Sequence, residues 1–147
     1  MRTKRSASLI VVSSILISTA AALRADWAFE DEVAGKVIET YVSERKLEKN
    51  PLWKDENDYP PLPPRKAIAL AKDEVKRLSP ELDLKKSELV FDKICLEPHG
   101  PKEQSWVWVV EFRRIQGVAI DFEEKVHVVV LMNGEVVKPS KIRDAEK

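Results

Sequence analysis

Hydrophobic and polar residues change rhythm several times along this chain, and each rhythm predicts an element. Residues 36–43 hold Val37, Ile38, Thr40, Tyr41 and Val42, a β-branched and aromatic content that predicts a strand. A helical reading competes there, because Val33, Val37 and Tyr41 would share one helix face. Residues 50–63 break all periodicity: Pro51, Pro60, Pro61 and Pro63, with Pro64 behind them, cannot continue a helix or sit inside a sheet. Trp53, Tyr59 and Leu62 punctuate this loop and are expected to pin it. From Pro64 to Leu78 the period becomes helical. Ile68, Ala71, Val75 and Leu78 form a stripe, widened by Ala67 and Leu70, while lysines, arginines and Asp73 cover the other side. Pro64 suits the first helical turn, and Lys76 and Arg77 complement the dipole of the last.

The remainder alternates with period two. Residues 88–96 read as a strand, with Asp92 and Lys93 marking a bulge. Residues 98–104 read as a turn. In 105–114, Trp106, Trp108, Val110 and Phe112 alternate with Val107, Val109, Glu111 and Arg113. In 124–132, Val126, Val128, Val130 and Met132 alternate with Lys125, His127, Val129 and Leu131. Asn133-Gly134 then signals a hairpin into a short strand at 135–138. The acidic start at Asp26–Glu32, with Trp27 and Phe29, is expected to be loosely held, and the charged tail 141–147 to fray.

These elements predict one α+β domain over 26–140, in the order β-α-β-β-β. An antiparallel sheet of about four strands carries the amphipathic helix on one face. Trp106, Trp108, Val110, Phe112, Val126, Val128 and Val130 should face the helix, each contributing roughly 1.5–3 kcal/mol when fully buried. Charge pairing favours Trp108 opposite Val128, Glu111 opposite Lys125 and Arg113 opposite Glu123, although this sets Phe112 against Glu124. A slip of two residues would instead set Glu111 beside His127.

Leu9 to Leu23, behind Arg2, Lys4 and Arg5, has the basic start, short apolar centre and small-residue exit of a signal peptide over 1–25. Its apolar run is shorter than the roughly 20 residues a membrane-spanning helix needs. Cleavage is expected after Ala25 or Ala22. Export would leave a periplasmic or extracellular protein without a membrane anchor. The leader takes four basic residues with it, leaving 21 against 25 acidic ones, a net charge near −4. That balance argues against nucleic acid and against anionic membrane surfaces. Cys95 is the only cysteine, so no internal disulfide forms, and a buried thiol is expected.

Lys36-Val37 after Gly35, Pro51-Leu52-Trp53, Pro60-Pro61-Leu62 and Ala67-Ile68-Ala69-Leu70-Ala71 form a series. With Trp106-Val107-Trp108-Val109-Val110-Glu111-Phe112 and the run from Val130 to Val137, it resembles small exported bacterial proteins of PepSY-like type. The resemblance implies a curved antiparallel sheet with one helix, similar also to the cystatin fold. It also implies binding or inhibition of peptidases, and carries over no catalytic residue.

The chemistry-bearing residues are sparse. His99 and His127 read as surface histidines without metal-ligand spacing, and Cys95 has no base and orienting group arranged around it. No catalytic residue, metal ligand or cofactor is expected. The cystatin wedge sequence Gln-x-Val-x-Gly is matched only in composition by Gln116-Gly117-Val118. The remaining candidate is a surface. Val107, Val109, Val129 and Leu131 should point away from the helix beside Glu111, Lys125 and His127, forming an apolar patch of the kind that marks an interface. Either a partner covers it, or the N-terminal segment with Trp27 and Phe29 or the Pro-rich loop does. The functional expectation is an exported, non-enzymatic domain that binds a protein or peptide in the cell envelope, with a peptidase or a second copy of the chain among the candidate partners. The alternatives are a PepSY-type peptidase inhibitor or folding-assistance domain and, less favoured, a small enzyme whose site carries no recognisable motif.

Overall fold

The structure, a computed structural model, describes residues 27–54, 56–99 and 105–146. The expected signal peptide and its cleavage sites lie outside the described residues, as do positions 100–104 of the expected turn. The protein is α+β and built on two antiparallel sheets rather than one.

The acidic start is not loose. Trp27–Val33 forms β1, which pairs along its whole length with β2 (Lys36–Val42). Ala34 and Gly35 close this hairpin with φ of 52° and 71°, the two positive values a type I′ turn requires. Nor does the tail fray throughout: Lys141–Asp144 forms a strand that pairs with β2, setting Ile142 opposite Ile38. The expected domain limit at residue 140 therefore stops short of a structural strand. In β1 the inward Asp31 interrupts the apolar period, and β7 has only Ile142 inward between charged residues, so neither alternation is plain in the sequence.

A short helix, α1 (Glu44–Glu48), follows β2, and the Pro-rich loop leads to α2 (Pro64–Leu78). Ala67, Ala71, Val75 and Leu78 are its buried apolar stripe, with Ile68 at the margin. Residues 79–86 turn back into β3 (Ser87–His99), which pairs with β4 (Ser105–Gln116). β5 (Ala119–Leu131) and the two-residue β6 (Val136–Val137) complete a sheet of order β3-β4-β5-β6. Lys141–Asp144 is β7, in the sheet β1-β2-β7. Pro98 and His99, expected in a turn, end β3 instead.

The β4–β5 register is two residues from the one charge pairing favours. Trp108 faces Val130, Val110 faces Val128 and Phe112 faces Val126, with Glu111 opposite His127. Apolar matching outweighs the expected charge pairs: Phe112 is 1% exposed, and a carboxylate opposite it would be desolvated. The register shifts between Arg113 and Arg114, so that Arg114 comes opposite Asp121.

Both faces of the larger sheet are dry. On one, the α2 stripe packs with Trp108, Val110, Phe112, Val126, Val128 and Val130, and the Trp108 indole N–H donates to the Leu62 carbonyl at 2.8 Å, tying the Pro-rich loop to the core. The tryptophans thus lie on the expected helix side. On the other face, Val107, Val109, Val129, Leu131 and Val137 form a second cluster with Val42 and Leu47, flanked by Trp27 and Phe29. The N-terminal hairpin and α1 are its cover.

Candidate functional site

The seven residues expected to form a partner surface do share one side of β4 and β5, as the alternation requires. They are not free. Val107, Val109, Glu111, Val129 and Leu131 are all at most 4% exposed, and His127 and Lys125 are only part-exposed. The reason is physical: this apolar face buries its area against the chain's own β1, β2 and α1 instead of waiting for a partner.

A polar cluster sits in that cover. Asp31, 3% exposed on β1, accepts the His127 backbone N–H at 2.7 Å through Oδ2 and contacts His127 Nδ1 at 2.6 Å through Oδ1. The ring's Nε2 lies 3.2 Å from Glu111 Oε2, and the Phe29 ring stacks on the imidazole at 4.6 Å. Arg113 Nη2 approaches Glu111 Oε1 at 2.7 Å while its Nε donates to Asp92 Oδ2 at 2.8 Å, and Lys93 lies 3.4 Å from Glu111. The hydrogen bond from Arg113 holds the Asp92 carboxyl below the usual carboxylate range and raises Arg113 itself. This chain of charges fastens β1 to β5 and β4 and ends at the β3 bulge. His127, expected on the surface, is a structural clasp. Asp31 was legible only as the third member of the inward alternation Trp27, Phe29, Asp31, Val33.

Asn50 is a second buried clasp. Its Nδ2 donates to Trp106 O at 2.7 Å and Ser105 Oγ at 3.1 Å, and its Oδ1 accepts the Met132 N–H at 2.6 Å. His99 stacks on Trp27 at 3.7 Å, and Cys95 is half-buried on β3. Among the described residues, no group of three or more His, Cys, Asp or Glu side chains is arranged to hold a metal ion. No helix there is long and apolar enough to cross a membrane.

What remains open is the margin of the larger sheet. Among the described residues β3 is an edge strand of 13 residues, paired through β4 alone. Beside its first half runs a groove of about 910 Å³, floored by Val75, Leu84, Leu89 and Phe112 and lined also by Phe91. Phe91 is 39% exposed and meets Phe112 edge-on at 6.3 Å. Lys72 and Lys76 of α2 and Lys85 of the α2–β3 loop also line the groove. The second half of β3 is blunted: the register shifts between Phe91 and Lys93, and Pro98 has no N–H to donate. Unpaired backbone thus coincides with an apolar groove only over Ser87–Phe91. The sequence analysis placed a strand and a bulge here but no site, because an edge strand is distinguished by its missing neighbour and not by its residues. Comparison with protein-family models, curated proteins and solved structures finds no match for this chain.

Proposed function

We propose that this is an exported, non-enzymatic domain of the cell envelope that binds a protein or peptide partner as an added strand along β3. The observation that carries the reading is the coincidence, at Ser87–Phe91, of a groove of about 910 Å³ and a strand edge that no described segment pairs. In strand addition the main-chain hydrogen bonds supply affinity and the neighbouring pocket reads alternate side chains. The groove's lining combines Leu89 and Phe91 with a margin of lysines, Asp83 and Glu88, a mixture that suits an extended peptide of alternating side chains. The apolar run behind Arg2, Lys4 and Arg5 supports export, and the resemblance to PepSY-like exported proteins supports a helix-on-sheet binding scaffold. Selection of a displayed random-peptide library on the purified protein tests the proposal. It predicts enriched peptides without proline at their centre, competed by one another at one site. Failure to enrich, or enrichment of proline-centred sequences, contradicts strand addition.

A second reading, peptidase inhibition, has one observation in its favour. The β4–β5 hairpin is closed by Gly117-Val118, with Gly117 at φ 63° and Val118 fully exposed at the tip. An exposed apolar hairpin tip can wedge into a cleft. Residual activity of a panel of envelope peptidases, with the wild type and Val118→Asp side by side, separates the two readings.

A further inference from the structure

We infer that the groove beside β3 selects an extended segment with two carboxylates flanking one apolar side chain, all three on the strand face turned toward α2. The inference rests on strand addition at β3 and goes beyond it by naming the side chains read. The floor dictates the central residue: above the buried Val75, Leu84 and Phe112, the half-buried Leu89 and the exposed Phe91 leave apolar surface that an apolar side chain would dry.

The rim dictates the flanks. Lys72 and Lys76 stand one turn apart on the exposed side of α2, and Lys85 stands where the loop enters β3. Among the described residues Lys72 and Lys85 make no ion pair, and Lys76 has Asp73 at 3.6 Å with both side chains at least 76% exposed. Against these three cations the lining sets Asp83 and Glu88. The backbone that carries the exposed Lys85 is constrained. It is left-handed, φ 55°, as is that of Asp83 at 48°, and the intervening Leu84 and preceding Leu82 are buried anchors.

The spacing fits a strand. Lys72 to Ser79 covers about 10 Å of helix at about 1.5 Å per residue, and Ser87 to Phe91 covers about 13 Å of strand at about 3.3 Å per residue. Residues i, i+2 and i+4 of an added strand lie on one face across that same span. The outer two therefore come beneath cations toward the two ends of the groove while the middle one meets the floor. The ligand class is an acidic–apolar–acidic extended peptide, read on alternate positions.

Fluorescence anisotropy with the purified protein and three labelled, end-blocked peptides tests this. Their cores are Glu-Thr-Leu-Thr-Glu, Gln-Thr-Leu-Thr-Gln and Lys-Thr-Leu-Thr-Lys. The Glu peptide should bind about three- to tenfold tighter than the Gln peptide, with the Lys peptide weakest. Added salt should narrow the gap. The double variant Lys72→Glu, Lys76→Glu, both exposed helix positions that leave the core intact, should reverse the order of the Glu and Lys peptides. Equal affinity for all three, or an unchanged order in the double variant, overturns the charge selection while leaving strand addition standing. Absence of binding by all three at millimolar concentration, together with no enrichment from the displayed library, overturns strand addition itself.

Discussion

Replacing Asn50 by alanine removes the clasp that joins the end of α1 to both central strands. Asn50 is 3% exposed, and its side chain serves the Met132 N–H at 2.6 Å, the Trp106 carbonyl at 2.7 Å and the Ser105 hydroxyl at 3.1 Å. Ser105 in turn donates to the Leu47 carbonyl at 3.1 Å, so the network holds α1 against β4. Alanine would strand the Met132 N–H in a buried site and deprive the Trp106 carbonyl of its donor. Each unsatisfied buried group costs about 1–3 kcal/mol, so with two of them Asn50→Ala should destabilise by about 2–6 kcal/mol. That is a large share of the roughly 5–15 kcal/mol that holds such a domain folded. Equilibrium urea unfolding followed by tryptophan fluorescence measures it. Asn50→Asp is the informative companion: it keeps an acceptor for Met132 but turns a carboxylate oxygen toward the Trp106 carbonyl, so it should be at least as damaging. A loss below about 1 kcal/mol in both variants would refute the clasp.

Burial on both faces of the larger sheet predicts that Trp108→Ala costs about 3–5 kcal/mol and that Val109→Ala, on the opposite face, still costs roughly 1.5–3 kcal/mol. A negligible loss at Val109 in urea unfolding would mean that the hairpin cover is not held. The carboxyls of Asp92 and Asp144 are held below their ordinary range, by hydrogen bonds from Arg113 and Lys36 respectively. A depressed folded-state value gives stability that is present above the unfolded value and lost as pH falls through the folded one, so resistance to urea should decline below about pH 4. Unfolding midpoints that stay level from pH 7 to pH 3 would contradict this. Cys95 is half-buried, so a thiol reagent should label it more slowly in the native protein than in the unfolded one, and equal rates would contradict its placement.

The larger sheet and α2 were legible because their periods are clean. The Trp106–Phe112 alternation and the Ala67–Leu78 stripe leave one arrangement of faces. The register follows the match of Phe112 with Val126 and of the buried Glu111 with His127, which outweighs the pairing of Glu111 with Lys125 and Arg113 with Glu123 that charge alone favours. The second sheet was missed for a different reason. In β1 the inward series is Trp27, Phe29, Asp31, Val33, and an aspartate in an apolar period hides a strand unless its partner, His127 on a distant strand, is already known. β7 carries only Ile142 inward between charged residues, and four residues are too few for periodicity to register. Of the two covers the sequence offered for the outer face of β4 and β5, a partner or the chain's own N-terminal segment, the structure shows the second, with Trp27 and Phe29 packed at its margin. The groove at Ser87–Phe91 depends on what fails to pair with β3, which no local pattern encodes.

Backbone amide exchange of residues 87–91, measured by NMR with and without the Glu-Thr-Leu-Thr-Glu peptide, tests strand addition most directly. The account predicts that alternate amides in this stretch, those turned away from β4, become protected when the peptide binds, while the amides of β5 and β6 are unchanged. Peptide binding that leaves those amides exchanging as in the free protein, or that protects the Gly117-Val118 hairpin instead, would contradict it.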